Sequence, residues 1–412
     1  MARIAPERRT RLDLIITAIL VVAAVAAGLT LWITSPARKA DLQTAATEPK
    51  LAPVAGDAPT RLRELWRAPS NATAVPAVAR ATVISADGGD IVAHDPAGGA
   101  PVWRYHRDNS LCRAVAAWPG GDDDVLAVYR DSRGCSEVTS FDAGTGLRRG
   151  ERTSDADDTL DLSYDDTFAL AAGPSRLETW GTNLVRGIEY GRVDAPVNPG
   201  VQPDRSACHL YSAVSGSSRV AVIERCADDD GYRLTVLGST LTDDEKVKQY
   251  GSQVITDSAG DPPPQVIATT DQTVTVYDGG GTGRGAPSIR QFSTDIEEKG
   301  REPVPGDLTP PAESRPLHGQ GLVTYWTGKA TTVLDASTGK QRFSVPDTIG
   351  PGELSTGLLV PVKNAISVRD PNNGREIRKI PVDRGSYTGL VSLRVLGPYV
   401  IEQRGSEIVA LG

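Results

Sequence analysis

The residues of this chain with the widest chemical reach are four histidines, four cysteines and several acid-dense runs. The histidines are His94, His106, His209 and His318, and no two stand at the H-x-x-x-H spacing that turns two imidazoles toward one metal. His94 and His209 fall on expected strands, where a hydrogen-bonded imidazole is the commoner use of the residue. No G-x-S-x-G elbow offers an activated serine. The glycine run at 279–285, GGGTGRG, opens no helix and so is no phosphate cradle; it suits a long hairpin turn between a third and a fourth strand. The run DADDTLDLSYDD at 155–166 has the acid density of a calcium loop. Leu160, however, stands where an EF-hand requires glycine, and no helices flank the run. Solvated acids in a loop between sheets account for it, as hairpin turns do for the DDD runs at 122–124 and 228–230. Asn71-Ala72-Thr73 matches the short glycosylation pattern. The sequence identifies no catalytic residue, no metal ligand and no cofactor site.

The cysteines have a clearer use. Cys208 and Cys226 flank the turn SGSS at 215–218, with HLYSAV running in and RVAVIE running out. Antiparallel strands about such a turn place the two opposite each other. Cys112 and Cys135 repeat the arrangement around PGGDDD, with AVAAW before and VLAVY after. Disulfides Cys112–Cys135 and Cys208–Cys226 follow, and they suit an oxidising, extracytoplasmic compartment. No C-x2-C spacing offers a zinc site.

The elements that must carry these residues come next. The chain has 412 residues, 39% hydrophobic and 23% charged, with a net charge of −8. That is globular composition, and the acidic balance opposes a phosphate-binding surface, which excludes nucleic acid as a partner class. Residues 12–33, LDLIITAILVVAAVAAGLTLWI, form an apolar helix about 33 Å long, enough to cross a bilayer. Arg3, Arg8, Arg9 and Arg11 precede it and only Arg38 and Lys39 follow closely, so residues 1–11 are expected in the cytoplasm and everything after the span outside. The apolar run exceeds a signal peptide's and ends without a clean cleavage site. Residues 34–60, rich in Ala, Pro and Thr, read as an extended tether. Residues 61–412 form the folded domain.

That domain reads as all-β and repetitive. IVAHDPAGGAPVWR, EVTSFDAGTGLRRGE, TVTVYDGGGTGRG, TTVLDASTGKQRFS and AISVRDPNNGREIRK each run strand, tight turn, strand, and place Asp95, Asp142, Asp278, Asp335 and Asp370 at the turn. Marks set at the ends of third strands recur every ~35–57 residues, centred on the length of a four-stranded propeller blade. The last unit has three strands and then stops. A lone strand at Leu62–Arg67 is positioned to close the ring beside EIVALG, hiding both sheet edges. The count is eight blades, or seven if the weak third unit merges with a neighbour. Connections at 194–207 and 294–315 are long enough to carry recognition, or to be inert spacers.

The segment AHDPAGGAPVW resembles the docking motif of PQQ-type (quinoprotein-like) propellers, Ala-x-Asp-x-x-Thr-Gly-x-x-x-Trp. Ala93, Asp95, Gly99 and Trp103 fill it, with Gly98 in place of the Thr. FDAGTG and LDASTG keep Asp142 with Gly146 and Asp335 with Gly339 but lack the Trp, and Gly374 follows Asp370. Over residues 61–412 the chain resembles membrane-anchored PQQ-like propellers of actinobacterial cell envelopes. The resemblance implies that the Asp caps the turn and the Trp stacks between blades. The adjacent cysteines and the extra length of the PQQ dehydrogenases are absent, and no metal ligand can be placed, so neither PQQ nor calcium is expected. The expected function is a binding or scaffold module on the outer membrane face with an envelope protein partner; the alternative is an enzyme or ligand sensor using the axial channel.

Overall fold

The computed structural model describes residues 10–51, 59–79, 81–193, 200–203, 205, 207–257 and 260–412. The chain forms an eight-bladed β-propeller preceded by one apolar helix. Blades 1 to 8 begin at the strands Ala77–Ala79, Leu111–Ala117, Asp161–Tyr164, His209–Gly216, Gln265–Thr269, Leu317–Gly319, Glu353–Leu354 and Val391–Leu396. In each blade these first strands line the axis, and antiparallel neighbours lead outward to the rim. Consecutive strands alternate direction. One face, here the entry face, therefore collects the connections between blades together with the second–third hairpins. The opposite face collects the first–second and third–fourth hairpins.

The burial pattern follows from this stacking. Middle strands have both faces covered by neighbouring blades, so Leu322–Trp326 is buried at every position. Rim strands face water, and Glu298–Pro303 is exposed at every position. The apolar core is a set of interlayers rather than one mass. Trp103, Tyr105 and Ile91 of blade 1 pack with Val125, Tyr129 and Phe141 of blade 2, and comparable clusters join the following blades round to blades 8 and 1. Each blade is thus held chiefly by its two neighbours.

The ring closes as the sequence implies. Glu64–Pro69 is the rim strand of blade 8, with Glu64 opposite Leu411 and Pro69 opposite Glu407. The sheet formed by the last three strands is completed by the first strand of the domain, which covers the edge that Glu407–Leu411 would otherwise expose.

Three expectations need correction. Part of the 34–60 segment is not tether: Asp41–Gln43 adds a fifth strand to blade 1, Asp41 opposite His106, and the Ala45 amide donates to the Thr145 carbonyl at 2.9 Å. Residues 161–164 are not loop but the axial strand of blade 3. Blade 5 is also phased differently. Gln253 and its neighbours belong to the rim strand Val247–Val254 of blade 4. Asp278 therefore ends a second strand, and GGGTGRG joins second to third strand. The stretch 298–303, expected in a loop, is the rim strand.

The helix Arg11–Thr34 has no buried residue. Thr10 caps it: its hydroxyl accepts from the Asp13 amide at 3.3 Å, and the Asp13 carboxylate accepts from the Thr10 amide at 2.7 Å. A helix apolar on every side and covered by no protein needs an apolar solvent.

Candidate functional site

Four of the five repeated turns share one geometry. The amide of Gly99, Gly146, Gly339 or Gly374 donates to the carbonyl of Asp95, Asp142, Asp335 or Asp370 at 2.8–2.9 Å. Each glycine has φ between 66° and 74°, which L side chains avoid. The aspartate carboxylate caps the turn: Asp142 accepts from the amides of Gly144 and Thr145 at 3.0 and 2.8 Å, and Asp335 accepts from those of Ser337 and Thr338 at 3.1 and 3.0 Å. Asp278 stands apart. Its carboxylate is buried and takes Arg284 and Arg290, both at 3.2 Å.

The turns are docking sites for the preceding blade. A Cβ on Gly146 would lie 2.7 Å from the Trp103 ring, and one on Gly99 the same distance from Trp66. The Trp103 indole donates to the Ala143 carbonyl and the Trp66 indole to the Pro96 carbonyl, both at 2.9 Å. Phe343 meets Gly374 in the same way. The Gly339 carbonyl instead accepts from the Thr275 hydroxyl at 2.7 Å. Each partner comes from the blade before, so a turn without its own Trp is not undocked. Trp66, in the closing strand, is a docking residue outside the motif, because no Asp-Gly turn precedes it in the chain.

The other chemistry-bearing residues are not brought together. His94 bonds Ser85 at 2.8 Å and the Gly99 carbonyl at 2.9 Å, and burial lowers its pKa. His106 meets Asp90 at 3.0 Å, and His209 packs against Tyr211. Cys208 and Cys226 are bonded with Cα atoms 3.8 Å apart, flanking the His209–Arg225 pair at the open end of their hairpin. Cys112 and Cys135 are also bonded. There the bridge does not cross a hairpin as expected: Cys135 lies on the third strand of blade 2, and the bridge passes from first strand to third. Glu224 approaches the Cys208 and Cys226 sulfurs, but its carboxylate accepts from Tyr190 at 2.9 Å. The acids at 155–166 diverge rather than converge. Asp155 and Asp157 meet Arg192, Asp158 meets Arg130, and Asp161 meets Arg315. Asp155, Asp157 and Asp161 are partly buried, ion-paired acids, while Asp158 and Asp166 are exposed as expected of the run. Most of the 194–207 connection lies outside the described residues.

One concavity of ligand size is the axial channel, a cavity of about 590 Å³, within the usual range of ligand sites. Its wall is mainly apolar and proline-rich, from Pro76, Pro174, Leu162, Val214 and Pro263. The segment 309–316 crosses from blade 5 to blade 6 over its entry-face mouth. Arg315 on that segment reaches Asp161 of blade 3 at 2.7 and 2.8 Å, and Arg113 of blade 2 approaches the same carboxylate at 3.4 Å. Deeper in, Arg394 pairs with Glu353 at 2.7 Å and donates to the His318 carbonyl at 3.0 Å. Enclosure, helped by the Arg394 charge, lowers the His318 pKa to about 4, so the ring is neutral at physiological pH.

No protein-family model matches this chain, and no curated protein is similar to it in sequence. Solved structures do match, and they are propellers. BamB from Moraxella catarrhalis aligns over 85% of this chain and 99% of its own, with a TM-score of 0.50 and 10% identity. The C-terminal WD40 domain of Sif2 aligns over 87% of this chain and 99% of its own, with a TM-score of 0.50 and 9% identity. Similarity at that identity establishes the fold and nothing finer.

Proposed function

We propose that this chain is a non-catalytic binding platform of the PQQ-like propeller type, held on the outer face of a cell membrane by its N-terminal helix and recruiting an envelope protein. The observation that carries the recruitment is an arc of exposed apolar side chains. Leu147, Val185 and Leu241 are 58%, 63% and 42% exposed, and they stand at the third–fourth hairpins of blades 2, 3 and 4 in succession. All three belong to the face opposite the entry face, where a rigid scaffold presents short loops. The arginine counts, the helix length and the two disulfides support the membrane and extracytoplasmic parts of the reading. The paired charges of the axial cavity support a non-catalytic role, since Glu353, Asp161 and Arg394 each face a counter-ion.

The test places a photo-crosslinking residue at Leu147 or Val185 in the full chain in native membranes. A discrete protein adduct from these positions is expected, and none from Asn372 at the corresponding hairpin of blade 7. Adducts from no position, or equally from all three, would remove the recruiting face. The cavity favours a second reading, a ligand sensor that uses the axial channel.

A further inference from the structure

The cavity mouth carries more positive charge than its partners neutralise. Arg113 and Arg315 converge on the single carboxylate of Asp161. Arg315 is otherwise satisfied by the Ala312 and Ser314 carbonyls. Arg113 is not: among the described residues its side chain has only Asp161 as hydrogen-bond partner, at the long distance of 3.4 Å. The Nε atoms of both arginines are buried without a partner among the described residues. Behind this mouth, Leu160, Leu162, Ala213, Val214 and Val266 wall the cavity. Deeper, the Arg394–Glu353 pair is neutral as a unit. Among the residues that line the cavity the lip therefore holds one excess cation beside an apolar chamber; Glu313 of the crossing segment is exposed and is not part of the lining.

The mouth also lies toward the membrane on the anchor reading. Asp41 pairs with His106 at the entry-face end of the blade 1 rim, and Lys39 meets Asp108 beside it at 2.7 Å. The chain from Thr34 to Asp41 reaches at most about 25 Å even if fully extended. The face bearing Arg113 and Arg315 is thus the one tied near the bilayer surface.

We propose that the axial cavity binds a single-chain anionic amphiphile, its acid group held by Arg113 and Arg315 in place of Asp161 and its alkyl chain in the apolar chamber. The proposal rests on the ligand-sensor reading and gives it a ligand class. Carboxylate and phosphate head groups share the required chemistry: a compact anion that takes the forked guanidinium donors. A cationic amphiphile would meet the arginine excess unfavourably, and a neutral one would leave both forks unused.

The test uses the full chain in phosphatidylcholine nanodiscs, with empty nanodiscs as the blank. Dansylaminoundecanoic acid reports binding by its fluorescence, and decanoate, decyl phosphate, decanol and decyltrimethylammonium compete with it. Saturable binding is expected, displaced by decanoate or decyl phosphate at about tenfold lower concentration than by decanol, one charge-assisted contact's worth. Whichever anion displaces better separates a fatty-acid source from a phosphate source. R113Q should weaken the probe about tenfold, and A213W should abolish binding by filling the chamber. D161N removes the competing carboxylate and should tighten binding, a gain that misfolding cannot imitate. No saturable signal, equal displacement by decanol, or D161N binding no tighter than the unsubstituted chain would overturn the proposal. Crosslinking from Leu147 and Val185 reads the opposite face, so the two proposals fail separately.

Discussion

Trp103 is 1% exposed and lies against the Gly146 turn of the next blade. W103A should cost about 3–5 kcal/mol, since it empties an interlayer that neighbours cannot refill. Denaturant unfolding checks this; an unchanged midpoint would mean the stacking is dispensable. G146A meets two penalties, a left-handed backbone costing about 1–2 kcal/mol and a Cβ 2.7 Å from the Trp103 ring. Gly120, at φ 78° with open space around it, supplies the control: G120A should lose only the backbone part and so lose less. Asp124 gives a pH signature. It is 1% exposed, and desolvation outweighs Arg149 to raise its pKa to about 6 from 3.8. Between those values the folded state holds a proton that the unfolded chain has released, so this contribution to stability is full below pH 3.8 and is lost as pH rises toward 6. The melting temperature of the unsubstituted chain minus that of D124N should therefore fall from pH 4 to pH 6. A difference that grows or stays flat would reject the assignment.

Among the elements, the closing strand Glu64–Pro69 carries the largest single consequence. Removing residues 61–69 from the full chain would open blade 8 at Glu407–Leu411 and strip Trp66 from the Gly99 turn, so loss of cooperative unfolding is expected, read by calorimetry. A truncated chain that melts like the parent would show that the ring does not depend on its ends. The Cys112–Cys135 bridge closes a sequence separation of 23 residues, and C112S/C135S should cost about 2–4 kcal/mol. Legibility in the sequence divides at this scale. Turns with Asp, a positive-φ Gly and alternating apolar flanks declare themselves, and so does the ring closure, because a missing fourth strand and a spare one can be counted. Blade 5 misleads because Asp278 and its glycines imitate those turns while ending a second strand. Its rim strand EKGREP carries no apolar period, being exposed throughout. The strands Asp41–Gln43 and Asp161–Tyr164 are too short to show a period at all. The axial channel follows from a propeller, but its charged mouth was not legible, since Arg113 and Asp161 lie on two blades and Arg315 on a connection between two others, and they meet only in the closed ring.

At the scale of the whole molecule, a rigid ring, an apolar helix and a short connection between them define the protein's geometry. The helix has no protein cover and the connection pairs with the rim, so the propeller is expected close to one membrane surface with its third–fourth hairpins turned away. On the proposed topology this surface is the outer one. Every lysine of the chain follows the helix, from Lys39 onward, so a membrane-impermeant amine-reactive biotin reagent, scored on lysine-containing peptides alone, reads the side directly. Applied to intact spheroplasts expressing the full chain, it should label the protein to the same extent as after detergent lysis. Labelling that appears only after lysis would put the propeller in the cytoplasm and contradict the account.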